Sequence, residues 1–310
     1  MIQIEEKLTL ITPCFCAGAD QNKAELRAPS IRGQLRWWFR VLGGTAEQEK
    51  ELFGGVHEGT AASKIIVRVK EVNYLWGEPK DLPQQNKPLY YLFHFANASN
   101  KNKRDPNGPR YAKKAWLNVD TTFTIEAFSR LPMKTELEEL QFLQAWNAFL
   151  NFGALGLRQT RGIGSFARQN RLDYQQLIQA VRELNRHGID CWCIGGMNGQ
   201  PYWCNQWTDA LKLLEVALGH IRQHGFKSDH ATPLGSSNPR QASALHLRPI
   251  LLKEGYLPLM YYVPKVLGEQ SERRCTELAD LLNSDIPCKY PYSARPQKPD
   301  NRKECRILKL

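Results

Sequence analysis

One run restricts what this chain can fold into more than any other. Between Gly18 and Arg40 a polar stretch gives way to Ser30-Ile-Arg-Gly-Gln-Leu-Arg-Trp-Trp-Phe-Arg40. It reads as the end of a strand, a loop and the opening of a helix. Ile31, Leu35, Trp38 and Leu42 recur at intervals of four and three, which makes one apolar stripe. Arg32, Arg36 and Arg40 recur every four residues and form a second stripe that flanks the first. Ser30 is the expected N-cap, its hydroxyl accepting from a free N–H of the first turn. Lys23 and Arg27 sit in the loop just before it, and only Glu25 nearby is expected to neutralise any of the three arginines. Free N–H groups and the helix dipole make such an end a seat for phosphate. The competing reading is an ordinary amphipathic helix with solvated arginines.

Around this run, the patterns alternate between strand and helix. Residues 4–12 alternate as a strand ended by Pro13, and 63–72 is β-branched and strand-like. A short helix is expected from Glu47 to Phe53, and strands at 89–95 and 117–128. Thr135-Glu-Leu-Glu138 has the form of a capping box, opening a helix to about Asn151 with Leu137, Leu140, Leu143 and Leu150 inward. The order strand, helix, strand, strand, helix, strand is the split βαβ arrangement of a ferredoxin-like, RRM-like fold. Asp173 caps a helix closed near Gly188, and the second half then places a strand at 191–194 and a helix at 208–224. Strands at 242–252 and 257–263, a helix at 271–283 and a strand at 305–309 follow. The expectation is α+β, with two ferredoxin-like domains at 1–170 and 171–310.

A glycine-rich segment closes the first half. Residues 151–171 carry Arg158, Arg161, Arg168 and Arg171 without one Asp or Glu, and glycines stand at 153, 156, 162 and 164. Main-chain N–H groups and guanidinium forks in such a loop can contact phosphate oxygens together. It is neither a P-loop nor a dinucleotide fingerprint. In a split βαβ sheet the first and last strands are neighbours, so the two basic segments are expected to meet over one surface. A third basic stretch, 97–114, has six Lys and Arg against one Asp and no apolar periodicity.

Composition sets the class of partner. The 310 residues carry a formal net charge of +11, and 42% are hydrophobic. That is enough apolar content for real cores, with an excess of positive charge that calls for an anionic partner, RNA above all. No stretch nears the roughly 20 apolar residues of a membrane span, and a cytoplasmic protein is expected. The eight cysteines include Cys14/Cys16 and Cys191/Cys193 but no Cys-x-x-Cys, so neither a metal nor any other cofactor is expected. Catalysis finds only scattered candidates for acid–base work, Asp20, His94 and His246, with His57 and Glu58 near the central loop in sequence.

The runs Leu10-Ile-Thr-Pro-Cys-Phe-Cys-Ala-Gly-Ala-Asp20 and Leu26-Arg-Ala-Pro-Ser-Ile-Arg-Gly-Gln-Leu-Arg-Trp-Trp-Phe-Arg40 resemble the N-terminal signature of the RAMP superfamily of CRISPR proteins. More narrowly they resemble the first RAMP subunit of the type III-B (Cmr) effector complex. Gly153-Ala-Leu-Gly-Leu-Arg-Gln-Thr-Arg-Gly-Ile-Gly-Ser-Phe166 is similar to the RAMP glycine-rich loop, and Ser243-Ala-Leu-His-Leu-Arg-Pro-Ile250 also fits. The resemblance implies two ferredoxin-like domains and a non-catalytic subunit that holds the 3′ part of the guide RNA and helps target RNA bind, beside other RAMP subunits. The contacts it implies are Lys23, Arg27, Ser30, Arg32 and Arg36 from the first motif, with Arg158, Arg161 and Gly162 from the second. Arg168 joins them on charge. The alternative is a metal-independent endoribonuclease that trims CRISPR transcripts.

Overall fold

The computed structural model describes residues 1–20, 22–55, 60–83, 89–93, 95, 115–133, 135–225, 233–237, 240–264, 272–283, 288–290 and 303–310. The expected basic loop at 97–114, along with His57, Glu58 and His94, lies outside them. Contacts divide the chain into two compact units, Met1–Gln159 with Ile163–Asn170, and Thr160–Gly162 with Arg171–Leu310.

The first unit contains β1 (Gln3–Leu10), α1 (Ala28–Val41), α2 (Ala46–Phe53), β2 (Ile65–Asn73), α3 (Tyr90–Phe93), β3 (Thr122–Ser129), α4 (Glu136–Phe152) and β4 (Phe166–Arg168). Its antiparallel sheet has the order β2-β3-β1-β4, with Leu8 opposite Phe123 on one side and Arg168 on the other. Alternation along β1 and β3 turns Leu8, Leu10, Phe123, Ile125 and Ala127 inward. Aromatic contacts join helix to helix, Phe39 with Phe53 (5.8 Å) and Phe53 with Phe142 (6.0 Å), and helix to sheet, Phe149 with Phe166 (5.1 Å between centroids).

Three local expectations are corrected here. The strand expected at 89–95 is instead the single turn α3, entered through Leu89 at φ +70. On α4 Leu150 is buried as expected, but Leu137 and Leu140 are 56% and 54% exposed, and the rest of the inward stripe is Phe142, Ala145, Trp146, Phe149 and Phe152. Large rings remove more apolar area from water than leucines do, so they take the core face. Thr135 does accept from Glu138 N at 3.2 Å, but the Glu138 carboxylate turns inward to Lys64 Nζ, also at 3.2 Å.

The second unit contains α5 (Tyr174–Arg186), β5 (Asp190–Gly196), α6 (Trp207–Gly225), the two-residue strands β6 (Ser236–Ser237) and β7 (Arg240–Gln241), then β8 (Leu245–Leu251), β9 (Tyr256–Tyr262), α7 (Glu272–Asn283), β10 (Cys288–Tyr290) and β11 (Lys303–Lys309). The capping box of α5 is present, with Asp173 accepting from Gln176 N and Asp173 N donating to the Gln176 side chain. Its sheet runs β10-β11-β5-β9-β8, antiparallel throughout. Set aside α2 and α3 in the first unit and α5, the β6–β7 ribbon and the edge strand β10 in the second, and the order of elements and of strands in the sheet is the same in both. Burial along β5, β8 and β9 is nearly continuous rather than alternating. Both faces of this sheet are therefore covered, and Tyr261 and Tyr262 are both buried.

Candidate nucleic-acid interface

Helix α1 begins earlier than the serine suggested. Arg27 occupies the N-cap in extended conformation with no side-chain cap, and Ser30 lies inside the first turn, its N–H donating to Arg27 O at 3.0 Å. Pro29 is the reason: its fixed φ suits the first turn and its missing N–H costs nothing there. Ser30 is exposed and is not the cap, and the first turn carries no acid.

The glycine-rich loop lies along the segment between β1 and α1. Ile11 N donates to Ser165 O, Gly164 N to Pro13 O and Leu157 N to Phe15 O, each at 2.9 Å. Ser165 N donates to Thr12 Oγ1 at 2.8 Å, and the Cys14 thiol to Leu155 O at 3.4 Å. Gly156, at φ +81, makes the close approach: a Cβ there would stand 2.5 Å from Phe15 O. Together the two segments line a cleft of about 250 Å³, with Cys16, Arg27 and Ser30 from one side and Leu155, Gly156 and Leu157 from the other.

Charge is distributed unevenly around this cleft. Arg27 is exposed and 3.2 Å from Glu25, and Lys23 is exposed. Arg32 is half-buried and forms no ion pair among the described residues. Arg158, at φ +59, sets its guanidinium over the Phe95 ring at 5.4 Å. The thiol–thiol interaction of Cys14 and Cys16 splits their titration. It draws Cys16 below the ordinary 9.0 and, with burial, pushes Cys14 well above it.

The remaining candidates do not face the cleft as free cations. Arg36 and Arg40 converge on the buried Glu49 of α2, at 2.6 and 3.4 Å. Glu25 is thus not the only acid serving the arginine stripe. Glu49 was missed, though its spacing to Leu52 and Phe53 already put it on the inward side of α2. Arg168 on β4 is paired with Glu6 of β1 at 2.7 Å. Arg161 is the plainest correction. Only 6% exposed, it belongs to the second unit, where its guanidinium donates to Ser243 Oγ at 3.1 Å, to Leu245 O at 3.4 Å and to Leu234 O. Its neighbour Gly162, at φ +78, is buried too, a Cβ there falling 2.7 Å from Leu211 and 2.9 Å from Pro249. Carbonyls in search of donors claimed a guanidinium that charge alone would have assigned to the surface.

The two described acid–base candidates sit in different settings, Asp20 exposed and His246 buried. Asp20 Oδ1 accepts from Asn22 N at 2.9 Å, closing an Asx turn. His246 is 6% exposed and lies nearly parallel to Tyr261, 4.7 Å away. Burial pushes its pKa well below 6.5, and Arg248 and Arg161 beside it add to the shift. Among the described residues, no three His, Cys, Asp or Glu side chains gather as a metal site. No described helix is long and apolar enough to cross a membrane.

Comparisons with known proteins agree on one direction. The family model of the RAMP superfamily matches residues 7–167. CRISPR system Cmr subunit Cmr1-2 of Pyrococcus furiosus is 27% identical over 196 residues, which covers 57% of this chain and 95% of that protein. The crystal structure of Cmr1 from Pyrococcus furiosus in its apo form superposes with a TM-score of 0.53 at 17% identity, covering 84% of this chain and 88% of that one. A chain from the cryo-EM structure of the type III-B Cmr-beta bound to cognate target RNA gives a TM-score of 0.51 at 12% identity, covering 89% and 98%.

Proposed function

The chain belongs to the RAMP superfamily, whose model spans just over half of it and takes in both halves of the cleft, and from that premise we propose that it is a non-catalytic RNA-holding subunit of a type III-B CRISPR effector complex. Its partners are guide RNA, at the 3′ region, target RNA and other RAMP subunits, in the cytoplasm. The two units are read as ferredoxin-like domains, 1–170 and 171–310. The observation that carries the proposal is the meeting of two segments more than 100 residues apart in one cleft at the start of α1. The likeness to Cmr1 subunits of Pyrococcus furiosus supports the choice of complex.

In this reading Lys23, Arg27, Ser30, Arg32 and Arg158 meet the sugar–phosphate strand. Arg36 contributes through its position beside Glu49, and Arg168, paired with Glu6, contributes least. Phosphate contact of this kind is nearly blind to sequence. Fluorescence anisotropy of unrelated single-stranded RNAs across a salt series tests it. Log affinity should fall linearly with log salt, and Arg27→Ala with Arg32→Ala should weaken every RNA alike. Unchanged binding in that double variant overturns the assignment. The non-catalytic part is supported by the burial of His246. Site-specific cleavage of labelled repeat RNA by the lone protein, with or without EDTA, would reverse it.

A further inference from the structure

The aromatic stretch Tyr202-Trp-Cys-Asn-Gln-Trp207 takes no part in the cleft described above. It forms the connection from β5 to α6, the topological counterpart in the second unit of the connection from β1 to α1. A second cavity, of about 290 Å³, lies there, lined by Tyr202, Trp203, Asn205 and Asp209 together with the buried Leu213 and Cys305. Cys305 stands on β11, the counterpart of β4. Each unit therefore carries a cavity at the turn after its first strand and the opening of the next helix, walled further in the first unit by residues 155–157 of the loop before β4 and in the second by Cys305 on β11 itself.

The linings differ in chemistry. Where the first cavity has Arg27 and Ser30, the second has two aromatic rings, an amide and a carboxylate. A carboxylate repels phosphate, so this is not a second backbone seat. Aromatic faces accept any base by stacking. An amide supplies both donor and acceptor, and a carboxylate takes amino protons, as the exposed edge of a splayed base requires. Asp209 Oδ1 accepts from Lys212 Nζ at 2.9 Å, and among the described residues its second oxygen has no hydrogen-bond donor.

The platform is built in advance. Tyr202 N donates to Ile194 O at 3.0 Å, Gly196 N to Gln200 O at 2.9 Å, and Cys204 and Tyr256 exchange both backbone bonds at 2.9 Å. Trp203 stands edge-on to Tyr174 at 5.6 Å yet remains 36% exposed. A tryptophan ring so held keeps part of its surface open beside the cavity, where a base can stack on it without the ring having to be reordered. We propose that this cavity receives a single unpaired base of a bound RNA strand, stacked on Trp203 and read at its amino group by Asp209. The proposal rests on the RNA-holding reading and adds a base contact to a surface otherwise argued from phosphates.

The test uses the full chain with oligoadenylate carrying 2-aminopurine, oligouridylate, and adenosine 5′-monophosphate. Quenching of 2-aminopurine on binding is expected, with adenylate favoured over uridylate. Trp203→Ala should weaken oligoadenylate binding roughly ten- to hundredfold. The salt slope should stay as it was, because no phosphate contact is lost. Trp203→Phe should restore most of the affinity, and Asp209→Asn should narrow the adenylate preference. Salt-dependent RNA binding that ignores Trp203 overturns the pocket and leaves the RNA-holding reading intact. No RNA binding by the unaltered chain overturns that reading and, with it, the strand as occupant. Binding of the monophosphate as tight as that of the strand also overturns it, in favour of a free nucleotide.

Discussion

In the first unit, Arg27 lines a cleft beside Glu25, Arg158 lies over the Phe95 ring, and half-buried Arg32 forms no ion pair among the described residues. In the second, Arg161 and Arg248 are 6% and 3% exposed; Arg161 is bound to carbonyls and a hydroxyl, and Arg248 donates to Tyr261 Oη at 3.1 Å. One topology, used twice, thus sends the same side chain to opposite ends of the energy scale. A guanidinium near water keeps its charge available for a ligand. One buried among carbonyls acts as a cross-link, and removing it leaves acceptors that no water reaches.

Arg161→Ala is the sharpest way to break this comparison. Leu234 O and the Ser243 hydroxyl oxygen would each lose a donor, while Leu245 O keeps the Ser243 hydroxyl at 2.7 Å, and unfolding in urea should show a loss of about 3 kcal/mol. RNA affinity per folded molecule should hold. Intact stability with lost RNA binding would put Arg161 back among the contacts. Gly156→Ala follows, since its Cβ would meet Phe15 O at 2.5 Å in the left-handed region, for about 2–3 kcal/mol. Here affinity should fall as well, because the glycine sits where the loop forms the cleft wall.

His246 gives a smaller effect with a definite sign. Its folded pKa lies well below 6.5, so the unfolded chain binds the extra proton as pH drops past that value. Stability contributed by the neutral ring is present above about 6.5 and is lost below it, by up to about 1.4 kcal/mol per pH unit. His246→Phe should flatten that slope in denaturation curves taken from neutral to acid pH. Smallest is Arg32→Ala, with stability close to unchanged. The slope of log affinity against log salt should drop by about 0.7 for one lost contact to a single strand.

Much of the architecture was legible along the chain. Period-two and period-3.6 runs fall where β1, β2, α1, α5, α6 and the β8–β9 pair stand, because those elements bury one stripe or whole apolar runs. The failures share a cause. Leu137 and Leu140 fit an inward stripe as well as Phe142 and Phe149 do, and only competition for core volume separates them. Ser30 is as good a cap as any residue until Pro29 draws the helix forward. Arg161 and Arg158 are indistinguishable in charge, and their fates depend on which carbonyls lie nearby.

The runs of strand and helix period, the excess positive charge and the two basic motifs were set by residue type and spacing, since periodicity and charge are local properties. Which guanidinium faces a cleft and which is consumed inside was decided by tertiary structure. Burial, donors for buried carbonyls and the pairing of Arg36 and Arg40 with Glu49 depend on neighbours far along the chain. A one-dimensional pattern holds no record of those distances.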